Sequence, residues 1–157
     1  MGEFDHVRSA LDALGALDWM QISIKPAKPF ALGGVARPGG IGVTVLGLPG
    51  NPVSSMVAFE LLARPAIALM GGAERLPMRN LEVGRAAEPF ARRPDGKIHF
   101  VRVVAEPASD GIPLLRSAGG QGSHQLSAMA AADALAVLPD GAGAEMGDLV
   151  TMLRLRG

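Results

Sequence analysis

Apolar residues recur at Phe4, Val7, Leu11 and Leu14 along EFDHVRSALDAL, the spacing of one helical face, and Gly15 follows as a stop. The pattern then changes period. Met20, Ile22 and Ile24 alternate with other residues and predict a strand over 19–24, with a second short strand over 30–35 ahead of an RPGG turn. Ile41 to Leu48 is uncharged and rich in β-branched residues, as expected of a strand covered on both faces. After GLPGNP, apolar positions 53, 56, 57, 61, 66, 67 and 70 predict a helix over 52–70, kinked at Pro65. Helix, strand, strand and helix in this order predict half of a doubly wound α/β layer.

From Gly71 the texture shifts. GGAERLPM reads as a linker, and five apolar runs follow: NLEVGRA, KIHFVRVVAE, IPLLRSA, ALAVLP and DLVTMLRL. Turn-forming Pro, Gly and Asp residues separate them, which predicts a small all-β barrel or sandwich. The expected division is therefore 1–72, α/β, and 73–157, β-barrel. A first piece of two helices and a few strands would leave a sheet edge open, so something is expected to precede it.

Composition narrows the function classes. Fifteen basic residues balance fifteen acidic ones, without the basic footprint of a nucleic-acid binder. The absence of cysteine excludes disulfides, thiolate metal sites and thiol catalysis. The uncharged run 38–59 is broken by prolines and glycines, so no membrane helix is expected there, and no signal peptide is apparent.

Three segments could bind an anion. In GLPGNPVSS, Asn51 is an expected N-cap and Pro52 a first helical residue, which fixes where the helix begins. Gly47 and Gly50 leave the backbone bare at a strand's carboxyl end, and Ser54 and Ser55 add hydroxyls in the first turn. A well-capped turn with no ligand is the plain alternative. In IKPAKPF, Pro26 and Pro29 push Lys25 and Lys28 toward extended geometry. A polyproline turn would set the two ammonium groups on one side, roughly 9 Å apart; the alternative is a solvated loop. In AGGQGSHQLSAM, three glycines precede Ser123 and a short helix, another concave set of N–H groups or simply a loop. His124 reads as a loop residue, and Asp5 as a helix-start carboxylate. Arg92 and Arg93 read as part of a solvated turn.

These residues also carry a resemblance. GEFDHV (2–7), ISIKPAKPFALG (22–33), GLPGNPVSSMVAFELLARPAI (47–67), GGQGSHQLSAMAAADALAVLPDG (119–141) and GDLVTMLRL (147–155) resemble, in order and spacing, the C-terminal part of molybdopterin molybdenumtransferases. These are the MoeA-type molybdenum insertases, whose animal relative is the gephyrin E domain. The resemblance implies transfer of molybdenum from molybdate to adenylylated molybdopterin, with Mg2+ and release of AMP, in a cytoplasmic homodimer. It also implies that 1–72 closes an α/β molybdopterin-binding, three-layer domain and that 73–157 is the family's C-terminal barrel. By motif, Asp5 would be a catalytic and metal-side carboxylate. Lys25, Lys28 and Ser123 would act on the ligand, and Pro26, Pro29, Gly50, Asn51, Pro52 and Ser54 would line its pocket.

Two departures are visible. Ala27 stands where the family usually has the glycine of IKPGKP, and the glycine-rich GGxSxG phosphate loop is missing but for its last residue. The chain by itself is therefore expected to be inactive. A non-catalytic molybdopterin-binding or protein-interaction module, as in the gephyrin branch, is the competing expectation.

Overall fold

The five apolar runs of the second half close on themselves. The structure, a computed structural model, describes residues 6–40, 42–76, 78–122 and 125–155. Strands β5 (Leu81–Ala86), β7 (Ile98–Glu106), β8 (Leu114–Ser117), β9 (Ala134–Leu138) and β11 (Leu149–Arg154) pair in the order β7-β8-β5-β11-β9, and β9 returns to β7. A five-stranded barrel results, the predicted architecture. A small β6 (Phe90–Ala91) and β10 (Gly143–Ala144) form a ribbon beside it, and α4 (Leu126–Ala131) precedes β9.

The alternation of side chains explains which residues fill the barrel. Ala134, Ala136 and Leu138 point to one face of β9 and pack with Val103, Leu115, Val150 and Met152 in the interior. Leu135, from the other face, joins Leu153 in a second cluster with Ile24, Ala27, Phe30, Val57 and Ala58 of the first half. ALAVLP has no polar alternation because both its faces are covered.

The first half begins with α1 (His6–Leu14) and β1 (Gly15–Gln21), so Gly15 opens a strand directly. Strands β1, β3 (Pro29–Val35) and β4 (Val43–Gly47) form a three-stranded sheet in that order. Both pairings are antiparallel, with Gly15 opposite Val35 and Ala31 opposite Gly47. The expected doubly wound layer needs parallel strands, hence crossovers of a dozen residues or more. Residues 22–28 and 36–42 are too short for that. Nor is β4 covered on both faces, since Val43 is 51% exposed.

The helix after GLPGNP is interrupted as its proline requires. α2 (Pro52–Ala58) runs into a π-helical turn, Phe59–Ala63, and then α3 (Arg64–Met70). Pro65 has no N–H, and its ring would meet the Leu61 carbonyl in a regular helix. The widened turn stands immediately before it, with the Arg64 N–H bonded to the Phe59 carbonyl. By length and composition Pro52–Met70 could cross a bilayer. Here Val53, Val57 and Ala58 are fully buried.

The two halves are spliced by a short strand. β2 (Ile24–Lys25) pairs in parallel with the start of β7, Ile24 against Ile98 and Lys25 against His99. The Ile98 N–H also donates to the Ser23 carbonyl at 3.0 Å. The KPAKP segment therefore hangs from the barrel.

Candidate functional site

The KPAKP segment is a turn, not the polyproline stretch expected. Ala27 has φ +83°, and Lys25-Pro26 is a cis peptide. The Ile22 N–H closes the turn on the Lys28 carbonyl at 2.7 Å. Polyproline geometry needs negative φ throughout, so Ala27 breaks it. The positive φ also gives a physical reason for glycine at this position, because a Cβ is disfavoured there. Ala27 is 2% exposed and packs its methyl into the second core cluster, an offsetting contact.

The turn nevertheless keeps both lysines on one hollow of about 560 Å³. Lys25, Pro26, Lys28 and Pro29 line it from one side, Ser54 from α2, and Gln121 and Gly122 from the glycine-rich loop. Both lysines are exposed, and neither ammonium meets a carboxylate among the described residues. Asp95 and Lys97 also line the hollow but pair with each other, so the two lysines of the turn, a buried serine and a glycine-rich backbone still suit an anionic ligand.

Gly50, Asn51 and Pro52 are not among the residues lining this hollow. Asn51 is the N-cap expected of it, with extended backbone and a side-chain oxygen accepting the Ser54 N–H at 3.4 Å; Pro52 follows at the first helical position. Ser55 donates to the Pro49 carbonyl at 2.7 Å, so its hydroxyl braces the turn. A Cβ on Gly47 would come within 2.9 Å of the Ala31 Cβ. That glycine serves strand packing, whereas a Cβ on Gly50 would meet nothing within 4 Å. Asp5, Ser123 and His124 lie outside the described residues.

The glycine-rich loop is held by a residue that the sequence did not single out. Arg102, on β7, is 1% exposed and has no carboxylate partner among the described residues. Its Nη2 donates to the carbonyls of Gly120, at 2.7 Å, and Gly122, at 3.2 Å. Gln121 grips the same strand in both senses, its Oε1 accepting the Arg102 N–H and its Nε2 donating to the Arg102 carbonyl. Burial pushes the Arg102 guanidinium below its ordinary range. Arg102 sits in an apolar run where a lone charge would ordinarily mark the solvent face. The bare carbonyls of a three-glycine loop were the signal that a buried donor was needed.

Arg92 departs from the solvated turn expected of it, although residues 93–96 around it are exposed. The Arg92 side chain is 3% exposed and donates to the carbonyls of Lys97, Leu138 and Pro139 and to the carboxylates of Asp95 and Asp140. Asp95 also accepts from Lys97 Nζ and lies 3.1 Å from His99 Nε2. Partial desolvation pushes the Asp95 carboxyl up, but hydrogen bonds from His99 and Lys97, reinforced by their charge, outweigh it and hold it at about 2.

A pH dependence follows. A carboxyl titrating at about 2 when folded, against 3.8 when free, contributes stability above the free value and loses it as pH falls through the folded one. The denaturant midpoint is expected to drop between about pH 4 and pH 2, and Asp95→Asn to flatten that part of the profile. An unchanged slope in the variant would mean that Asp95 adds nothing to acid sensitivity.

Two family models tile the chain. Residues 1–69 match the probable molybdopterin binding domain, and residues 83–155 match the MoeA C-terminal region, domain IV. The chain belongs to the MoeA family. The molybdopterin molybdenumtransferase of Haemophilus influenzae is 31% identical over 153 residues, covering 97% of this chain and 36% of that protein. Molybdopterin molybdenumtransferase 1 of Mycobacterium tuberculosis is 33% identical over 139 residues, covering 87% of this chain and 32% of the relative. A crystal structure of the molybdopterin biosynthesis MoeA protein from Pyrococcus horikoshii OT3 shares the fold, with TM-score 0.64 and 24% identity over 89% of this chain and 32% of that one. The chain thus spans about a third of the length of the curated MoeA relatives it matches. The MoeA-like fold, α/β followed by a small closed barrel, is the fold class expected from the sequence.

Proposed function

We propose that this chain contributes one wall of the site at which molybdenum from molybdate is transferred to adenylylated molybdopterin with release of AMP. The supporting observation is that Lys25, Lys28 and Ser54 line one hollow with Gln121 and Gly122, drawing three separate sequence segments together. In this reading the two ammonium groups neutralise the phosphate and molybdate oxygens, and the Ser54 hydroxyl fixes their orientation. Asn51 and Pro52 set the helix start that carries Ser54, next to Gly50. Ser123 follows Gly122 in the sequence. The complete protein would work as a cytoplasmic homodimer, and this chain alone would turn over poorly or not at all.

No group of three or more Asp, Glu or His among the described residues could hold a metal ion, and Asp5 lies outside them. Asp95, beside the lysines, is already held by Arg92, Lys97 and His99.

Purified chain is expected to bind adenylylated molybdopterin in equilibrium dialysis, yet to release AMP no faster than buffer when molybdate and magnesium are added. Absence of binding would overturn the site. Brisk release would overturn the claim that the chain alone is incompetent.

A further inference from the structure

The lysine hollow does not end at Gln121. Lys25, Asp95 and Gln121 also line a second hollow of about 630 Å³, which opens beside the barrel. Phe90, Val101 and Leu138 give it an apolar floor. Most polar groups on its walls are already engaged. Asp95 and Arg92 hold each other, and Ser117 Oγ donates to the Gly119 carbonyl while accepting from Gln121 Nε2. Glu88 is different. It is half-buried between β5 and β6, and its Oε1 accepts the Ser117 N–H at 2.8 Å. Its Oε2 takes no hydrogen bond from any described residue.

An unengaged carboxylate oxygen above an apolar floor fits a flat heterocycle that offers neighbouring N–H donors. We propose that this second hollow seats a 2-amino-4-oxo pteridine ring, with Glu88 Oε2 and the remaining lone pair of Oε1 accepting from the ring's amino group and adjacent N–H. The ring lies over Phe90, Val101 and Leu138, and the anionic end of the ligand extends past Lys25, which lines both hollows. The assignment rests on the molybdopterin reading above and adds to it the place and orientation of the ring.

Pterin and lumazine separate the chemistry, because lumazine carries a carbonyl where pterin carries the amino group. Fluorescence anisotropy with the full chain is expected to show pterin bound at least ten-fold more tightly than lumazine. Glu88→Gln keeps an oxygen for the Ser117 N–H but turns an NH2 toward the ring. It is expected to weaken pterin at least ten-fold and to erase the preference over lumazine, while pyrophosphate binding and the thermal midpoint stay as in the parent. Equal affinity for the two pteridines in the parent, no measurable binding of either, or an unshifted pterin affinity in Glu88→Gln would each overturn the proposal. Pyrophosphate reports separately on Lys25 and Lys28. If it binds and pterin is not discriminated, the ring site alone fails; if pyrophosphate does not bind, the lysine site beneath it fails as well.

Discussion

Arg102→Ala is expected to cost about 3 to 4 kcal/mol of folding stability. Truncating a side chain that is 1% exposed leaves a cavity. It also strips the Gly120 and Gly122 carbonyls of their shared donor. The two effects can be separated. Arg102→Met keeps most of the buried stem, so packing survives and only the tether is lost. A cost of about 1 to 2 kcal/mol is expected, because Gly120 is an exposed residue and its carbonyl can turn to water. Both variants should speed amide hydrogen exchange over 119–122. Urea denaturation gives the energies and exchange gives the loop. If Arg102→Ala unfolds at the parent midpoint, the guanidinium is not what holds this segment.

Lys25→Ala and Lys28→Ala are each expected to weaken pyrophosphate binding about ten-fold, and the double variant about a hundred-fold, with stability unchanged. An ammonium at contact distance from an anion offers about 4 kcal/mol at an effective dielectric near 20. Both side chains are exposed, so solvent and salt screening leave a fraction of that, and tenfold corresponds to about 1.4 kcal/mol. Among the described residues neither lysine has a carboxylate to give up, so removing one leaves no orphaned partner there. Titration calorimetry at low and high ionic strength checks both points: the loss should shrink as salt rises. Parent-like affinity in both variants would mean that the turn is merely solvated.

Much of the barrel was legible because each strand is a short apolar run bounded by Pro, Gly or Asp. NLEVGRA became β5, KIHFVRVVAE became β7, and DLVTMLRL became β11. The cap at Asn51–Pro52 was legible for the same reason, since local chemistry decides it. The direction of the first sheet was not, because hydrophobic pattern fixes which residues are strands and leaves their pairing to loop length. KPAKP misled in another way. Proline constrains its neighbours, but tertiary contacts hold Ala27 at positive φ. Arg102 stayed hidden because its partners, backbone carbonyls of the 120–122 loop, lie on another segment. Asp95 has its partners close in sequence, Arg92, Lys97 and His99, but a turn pattern does not say which of its side chains fold back onto one another.

The splice between β2 and β7 makes the position of Lys25 a matter of counting. Side chains change sides at every residue of a strand, so sliding β2 by a single rung along β7 would swing that ammonium out of the cleft and bring a neighbour in. One residue inserted between Ser23 and Lys25 would therefore recharge the cavity without altering a single lysine, and any graft of the KPAKP turn onto another scaffold must bring its two rungs with it.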